Sequence, residues 1–203
     1  MKVIIGECSS KKVVIRVTFD AGALADHGGK WPLGTAHLVE HLIFQGTSFL
    51  TNEELMRKLA MLGADYNGLT WNDKVSFYVV VPMENALEAA ELLRDMITDR
   101  IFDNDLFEKE KLVVLEEERD SKDDVESNVI DRLYKFLCDG PLAVPIIGSK
   151  ESIKSITLEQ AQSFYDFYYK PQNLLLTISG HSEIDFYSIS NLFGPNSGKF
   201  RKF

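Results

Sequence analysis

Polar and apolar residues alternate from Lys12 to Phe19 in a run rich in β-branched side chains, which predicts a strand. Met1 to Glu7 predicts another, on the far side of Ser9-Ser10. Tyr66–Trp71 and Lys74–Pro82 read as a hairpin turning at Asn72-Asp73, and the continuous Val79-Val80-Val81 predicts a central, buried strand. Asn173–Gly180 predicts a further strand, followed by an exposed His181 in a turn. Between the strands the apolar period lengthens to that of a helix. The stretch through Leu38, Leu42 and Ile43 predicts a half-buried helix stopped at Gly46, entered from a Gly-rich loop over 22–34 with His27 exposed in it. Asn52 to about Leu62 predicts a second helix, ended by Gly63. Glu84–Thr98 predicts an amphipathic helix burying Leu87, Leu92 and Ile97. Asp105–Ser121 and, after a bend near Asp123, Val125–Cys138 predict two more. Leu158–Tyr169 predicts a helix whose Phe164, Tyr165, Phe167 and Tyr168 pack in the core. Gly194–Gly198 and the basic Lys199–Lys202 predict a frayed tail. Strands that arrive in pairs with helices between them define an α+β chain rather than a doubly wound sheet.

With 203 residues and 45% hydrophobic content, the chain can bury a sizeable core, read here as one domain over 1–203. The net charge of −9 argues against a nucleic-acid partner, which calls for a basic patch, and against binding to anionic lipid. No stretch of eighteen apolar residues predicts a membrane span. The start of the chain is too short and strand-like for a signal peptide and is not an Arg/Ser-rich transit helix. Cys8 and Cys138 form no disulfide framework and fit a reducing compartment, so the expected location is cytoplasmic, with both thiols as packing residues.

One segment changes the picture from scaffold to chemistry. His37-Leu38-Val39-Glu40-His41 places two imidazoles four residues apart, hence on one helical face and about one turn from each other. That spacing can hold one zinc ion. Glu40 lies three residues after His37 on the same face, where a carboxylate can stand over the metal without ligating it. The order H-x-x-E-H is the inverzincin signature. Zinc needs a third protein ligand and an open position. The acidic run Glu108–Arg119 offers candidates, although most charge runs are solvated faces. Glu117 has an acidic mate, Glu110, two turns before it, whereas the same offset from Glu116 and Glu118 reaches Lys109 and Lys111. Glu117 is therefore read as the third ligand and Glu110 as a carboxylate that orients ligands or water. By periodicity alone Glu116 and Glu118 stay open.

These residues carry a family resemblance. Gly34, Ala36, His37, Glu40, His41, Phe44, Gly46 and Thr47, followed by a distant glutamate, resemble the M16 peptidases, among them pitrilysin, insulin-degrading enzyme and mitochondrial processing peptidase. Glu117 stands at the separation from His41 at which that family carries its third ligand. Gly63–Thr70 resembles the family's edge strand, in which an Asn-Ala pair binds substrate backbone. Ile147–Ile153 and Tyr169–Asn173 resemble later blocks, so the likeness runs from about Phe19 to Gly180. The resemblance implies a mixed, largely antiparallel sheet with helices on one face. It also implies one Zn2+ per chain on His37, His41 and Glu117, with water in the fourth position and Glu40 as the general base of an endopeptidase. Asn67 and Gly68 would hold a peptide or unfolded polypeptide as an added strand. Gly68 stands where the family usually has alanine, which keeps room for the backbone to approach and loosens the strand.

Typical members contain two or more such domains that close on the substrate, the far one supplying Arg and Tyr side chains. This chain corresponds to the zinc-bearing unit alone. The remaining wall then comes from a homodimer, which general symmetry favours, from a second M16-like chain, or from nothing at all. The alternatives to a free-standing peptidase are a subunit active only beside a partner chain and a non-catalytic peptide-binding subunit. Subunits of the last kind usually lose motif residues, and all four are intact here. A metal-binding regulator without hydrolysis has no specific support.

Overall fold

The computed structural model describes residues 1–194 and the backbone of 201–202. Its centre is a mixed six-stranded sheet in the order β3-β4-β2-β5-β1-β6. The strands are β1 (Lys2–Glu7), β2 (Lys12–Phe19), β3 (Asp65–Thr70), β4 (Val75–Pro82), β5 (Leu174–Gly180) and β6 (Arg201–Lys202). β2 pairs antiparallel with β4 and β5, and β3 antiparallel with β4, while β1 runs parallel to β5 and β6. β1 and β2 are thus not neighbours: β5, from the far end of the chain, lies between them. The expected frayed tail falls largely on residues outside the described ones, but Arg201–Lys202 pair with β1 at Ile4 and Ile5.

Alternation puts one set of side chains on a covered face. Val13, Ile15, Val17 and Phe19 of β2, Phe77, Val79 and Val81 of β4, and Leu174, Leu176 and Ile178 of β5 are all buried. Each such aliphatic or aromatic side chain contributes about 1.5–3 kcal/mol on burial. Val14, Arg16 and Thr18 point to the other, half-exposed face, where Arg16 lies over the Tyr78 ring. Val80 shares that face, so only the odd members of the valine run enter the core.

Eight α-helices are described: α1 (Thr35–Ile43), α2 (Asn52–Met61), α3 (Ala86–Thr98), α4 (Asn104–Ser121), α5 (Val125–Leu137), α6 (Lys150–Ser155), α7 (Leu158–Tyr168) and α8 (Phe186–Leu192). α1 packs on α4, α7 and β3, and α3 packs on β4 and α8. α2 begins with a reciprocal cap between Thr51 and Glu54 and gives way to Gly63 at φ +65°. α3 buries its alanine-rich face and Leu92, Leu93, Met96 and Ile97, but Leu87 is exposed. In α7, Phe164 is buried and Tyr165 and Tyr168 are half-buried, whereas Phe167 is exposed and meets Lys30. The 22–34 segment is not an open loop: Ala23–Gly28 form a 3-10 helix in which His27 is half-buried. α5 buries no side chain, and Val125, Val129 and Phe136 lie bare on its outer face. Among the described residues no helix is long and apolar enough to cross a membrane.

Candidate metal centre

α1 is apolar on nearly every side. Thr35, Ala36, Leu38, Val39, Leu42 and Ile43 are buried, and the one polar seam is His37, Glu40 and His41. The helix begins at Gly34 with no side-chain cap of its own, at φ +90°. A Cβ there would stand 2.4 Å from the Ile147 carbonyl oxygen, so only glycine admits this entry. The cap comes from outside the helix. Asp26, 1% exposed, accepts from the backbone N–H of Gly34 at 2.9 Å and of Ala36 at 3.2 Å. A carboxylate at this end faces the orphan donors and the positive pole of the helix. Asp26 was not among the expected site residues, and only its short polar type near a helix start could have pointed to it.

Burial pushes the Asp26 carboxyl up to about 7, against the N–H groups of Ala36 and Gly34, which favour its charge. A carboxyl raised above its ordinary 3.8 keeps its proton in the folded chain at a pH where the unfolded chain has lost it. Its contribution to stability is therefore fullest below about 4 and is lost as the pH rises through about 7. Asp26→Asn removes that titration. Thermal melts at about pH 5 and pH 8 should show the wild-type fall in Tm shrinking by several degrees in the variant. An equally steep fall in both would mean that Asp26 is ionised throughout.

At the seam, His41 Nε2 lies 3.3 Å and His37 Nε2 3.9 Å from Glu117 Oε2 on α4. His41 Nδ1 lies 3.5 Å from Glu110 Oε2, two turns earlier on α4. Glu110 is buried, while Glu117 is about half exposed. Of the other two candidates on this helix, Glu118 is buried and paired with Lys122 at 2.5 Å, and Glu116 is exposed. Burial works against charge on His41, but the carboxylates of Glu110 and Glu117 outweigh it and push the imidazole up to about 9. Burial and the neighbouring His41 push His37 down to about 4. The hydrogen bond from His41 holds Glu117 below the usual carboxylate range.

The donor set fits zinc. One atom each from His37, His41 and Glu117 lies within 4.8 Å of the other two. Bonds of about 2.0–2.2 Å in a tetrahedron bring ligand atoms to roughly 3.3–3.6 Å of one another, so a small closing movement suffices. Two imidazoles and a carboxylate are a donor set of catalytic zinc sites, which keep one position open.

Glu40 is buried, and burial pushes its carboxyl above the ordinary range. The Thr70 hydroxyl donates to its Oε2 at 2.5 Å from the end of β3. Thr70 is a second residue that the sequence did not single out. β3 is the edge of the sheet. Gly68, buried on it, backs against the same carboxylate: a Cβ there would stand 2.5 Å from Glu40 Oε1 and 2.9 Å from its Cγ. The missing methyl thus makes room for Glu40 as well as for an approaching backbone. Asn67 does not join the cavity; it is exposed, and its Oδ1 accepts from the Gly68 N–H at 2.9 Å. A cleft of about 340 Å³ opens beside His37 and Glu40, between Gly68–Thr70 and a wall that includes Ser127 and Asp131 of α5.

Gly68→Ala must displace the Glu40 carboxylate from its seat between Thr70 and β3. In an assay on a mixed peptide pool, kcat should fall about 10- to 100-fold with the zinc content unchanged, since misplacing a reacting group by about 1 Å costs up to about 100-fold. Unchanged kcat would show that Glu40 has slack at this seat.

Fold and seam together define a metallopeptidase-type domain, in which an inverted H-x-x-E-H helix is backed by a distant glutamate. Residues 2–150 match the family model of Insulinase (Peptidase family M16), and the chain belongs to that family. An uncharacterized zinc protease of Rickettsia felis is 31% identical over 153 residues, spanning 75% of this chain and 37% of that one. A probable mitochondrial-processing peptidase subunit beta of Arabidopsis thaliana is 27% identical over 180 residues, spanning 87% and 34%. The fold is that of a protease from Helicobacter pylori, with a TM-score of 0.81 at 24% identity over 91% of this chain and 44% of that one. It is also that of a peptidase M16 inactive domain from Pseudomonas fluorescens, with a TM-score of 0.81 at 21% identity over 98% and 50%. The chain thus spans well under half the length of these two relatives.

Proposed function

We propose that this chain is a zinc-dependent endopeptidase acting on peptides or unfolded polypeptide segments, with residues 1–203 forming one catalytic unit. The observation that carries this reading is the position of Glu40. It is a buried carboxylate on the same seam as two imidazoles that share Glu117, and it is held by Thr70 rather than by any of the three. His37, His41 and Glu117 would hold the metal, and Glu110 would fix the orientation of His41 through Nδ1. Zinc, when bound, supplies Lewis-acid polarisation and lowers the pKa of water. Glu40 takes a proton from the attacking water and returns it to the leaving amine, a task that suits a carboxyl raised by burial. The free edge of β3 takes the substrate as an added strand, so main-chain hydrogen bonds align the scissile bond and sequence matters less. Asn67 and Gly68 lie on that edge, with Asn67 free to exchange its bond to Gly68 for one to substrate.

A second reading is favoured by one observation, the 34–37% of each relative's length that the chain spans. In it the unit cuts only when another M16-like chain, or a second copy of this one, faces the cleft. The bare outer face of α5 is available to such a contact.

Both readings meet in one experiment: zinc content, cleavage of a mixed unfolded-peptide pool, and oligomeric state in the same buffer. About one zinc per chain with cleavage, lost on chelation and restored by zinc, is the expected result. Zinc without cleavage would favour the second reading. A chain that binds no zinc would overturn both.

A further inference from the structure

A second, smaller hollow adjoins the cleft at its α5 end. It has a volume of about 60 Å³ and shares Asp131, Pro145 and Ile146 with the cleft. Its own walls are mostly apolar, with Ile130 and Tyr134 from α5 and Leu142 from the short 3-10 helix that follows (Gly140–Ala143), and with Asn72 as the polar exception. The three apolar side chains remain 46%, 43% and 37% exposed, around a depression rather than scattered over the surface. An accessible apolar lining continuous with a polar cleft is what a ligand-binding surface presents.

Two rulers place it. Along α5, Ser127 lines the cleft, Asp131 lines both spaces and Tyr134 lines only the hollow. At 1.5 Å per residue, Ser127 to Tyr134 is about 10 Å. Along the opposite wall, Gly68 faces Glu40, and Asn72, just past the end of β3, lines the hollow. At about 3.3 Å per residue that path is at most roughly 13 Å. An extended peptide beside β3 advances at the same rate, so the hollow lies three or four residues from the scissile bond. At about 10–15 Å³ for each water-sized group, the 60 Å³ has room for about four to six, enough for the four carbons of a Leu or Ile side chain and too few for an indole.

We propose that this hollow is a substrate subsite that takes a branched aliphatic side chain three or four residues from the scissile bond, with Ile130, Tyr134 and Leu142 as its walls. This rests on the peptidase reading above. Main-chain pairing to β3 binds any sequence, and the hollow adds selectivity at one position.

The test is a cleavage-site profile on an unfolded-protein digest. Wild type should show Leu, Ile and Val enriched at one position three or four residues from the cut. Leu142→Asp puts a charge on the wall of the hollow at a position 37% exposed. It should erase the enrichment and raise KM for a Leu-bearing peptide about tenfold or more relative to its Gly-bearing twin. A flat wild-type profile, or an enrichment that survives Leu142→Asp, overturns the subsite and leaves the peptidase intact. If wild type cuts nothing, methyl and amide NMR of Glu40→Gln with a Leu-bearing decapeptide decides. Shifts at both the Gly68–Thr70 amides and the Ile130 and Leu142 methyls uphold the subsite. Shifts at Gly68–Thr70 alone overturn it, and shifts at neither overturn peptide binding as well.

Discussion

Glu40→Gln should keep the metal and lose the reaction. The three donors that fit zinc are His37, His41 and Glu117, and Glu40 is not among them. The amide has nearly the same volume and still accepts from the Thr70 hydroxyl, so the seat between α1 and β3 stays filled. What disappears is the ability to take and return a proton. Loss of a positioned general base lowers kcat by about 10²–10⁴-fold. A buried carboxyl already pushed up by its surroundings is no stabilising charge, so the variant should melt no lower than wild type. The measurements are kcat on the peptide pool, zinc per chain, and Tm. Full activity with zinc retained would remove Glu40 from the chemistry. Loss of zinc would mean that Glu40 belongs to the ligand set.

How far the chain could be read from its residues depended on the reach of each contact. The α1 seam was readable because His37, Glu40 and His41 are brought together by the helix itself, whatever the rest of the chain does. Glu110 and Glu117 were narrowed down by the same periodicity on a second helix. Asp26 and Thr70 were invisible because they act across the fold, Asp26 reaching ten residues forward to Ala36 and Thr70 meeting Glu40 thirty residues away. No local pattern marks either residue as a cap or an orienting hydroxyl. The sheet divides in the same way. The β3–β4 hairpin follows from its turn, whereas the insertion of β5 between β1 and β2 depends on pairings more than 150 residues apart. Leu87 and Phe167 fit the apolar stripes of their helices and are nevertheless exposed, because a stripe is buried only as far as a neighbouring element reaches. Gly68 was noticed as a departure from alanine, but its reason needed the third dimension, since the atom that a methyl would strike belongs to Glu40.

The largest effect on metal binding should separate Glu117 from its neighbour. Periodicity left both Glu117 and Glu118 open, and their environments now differ sharply. Glu117 faces two imidazole nitrogens at 3.3 and 3.9 Å, while Glu118, about 100° further round the helix, is buried and paired with Lys122. Glu117→Ala deletes one of the three proposed protein ligands. Even the loss of a residue that only orients a ligand costs about 10- to 100-fold in affinity, so removing the ligand itself should exceed 100-fold. Glu110→Gln should fall within that lower range, because it weakens the partner of His41 Nδ1 and leaves the donor set whole. Glu118→Ala should hold zinc as wild type does and instead lower Tm by a few degrees, since it removes a buried side chain and its ion pair with Lys122. Competition against a chromogenic chelator gives the three affinities, and thermal melts of the metal-free proteins give the stabilities. Zinc lost in Glu118→Ala and kept in Glu117→Ala would move the third ligand by one residue and turn the face of α4 that meets α1. Zinc kept in both would point to a ligand outside α4, and the carboxylates beside His41 would then serve only to hold its charge.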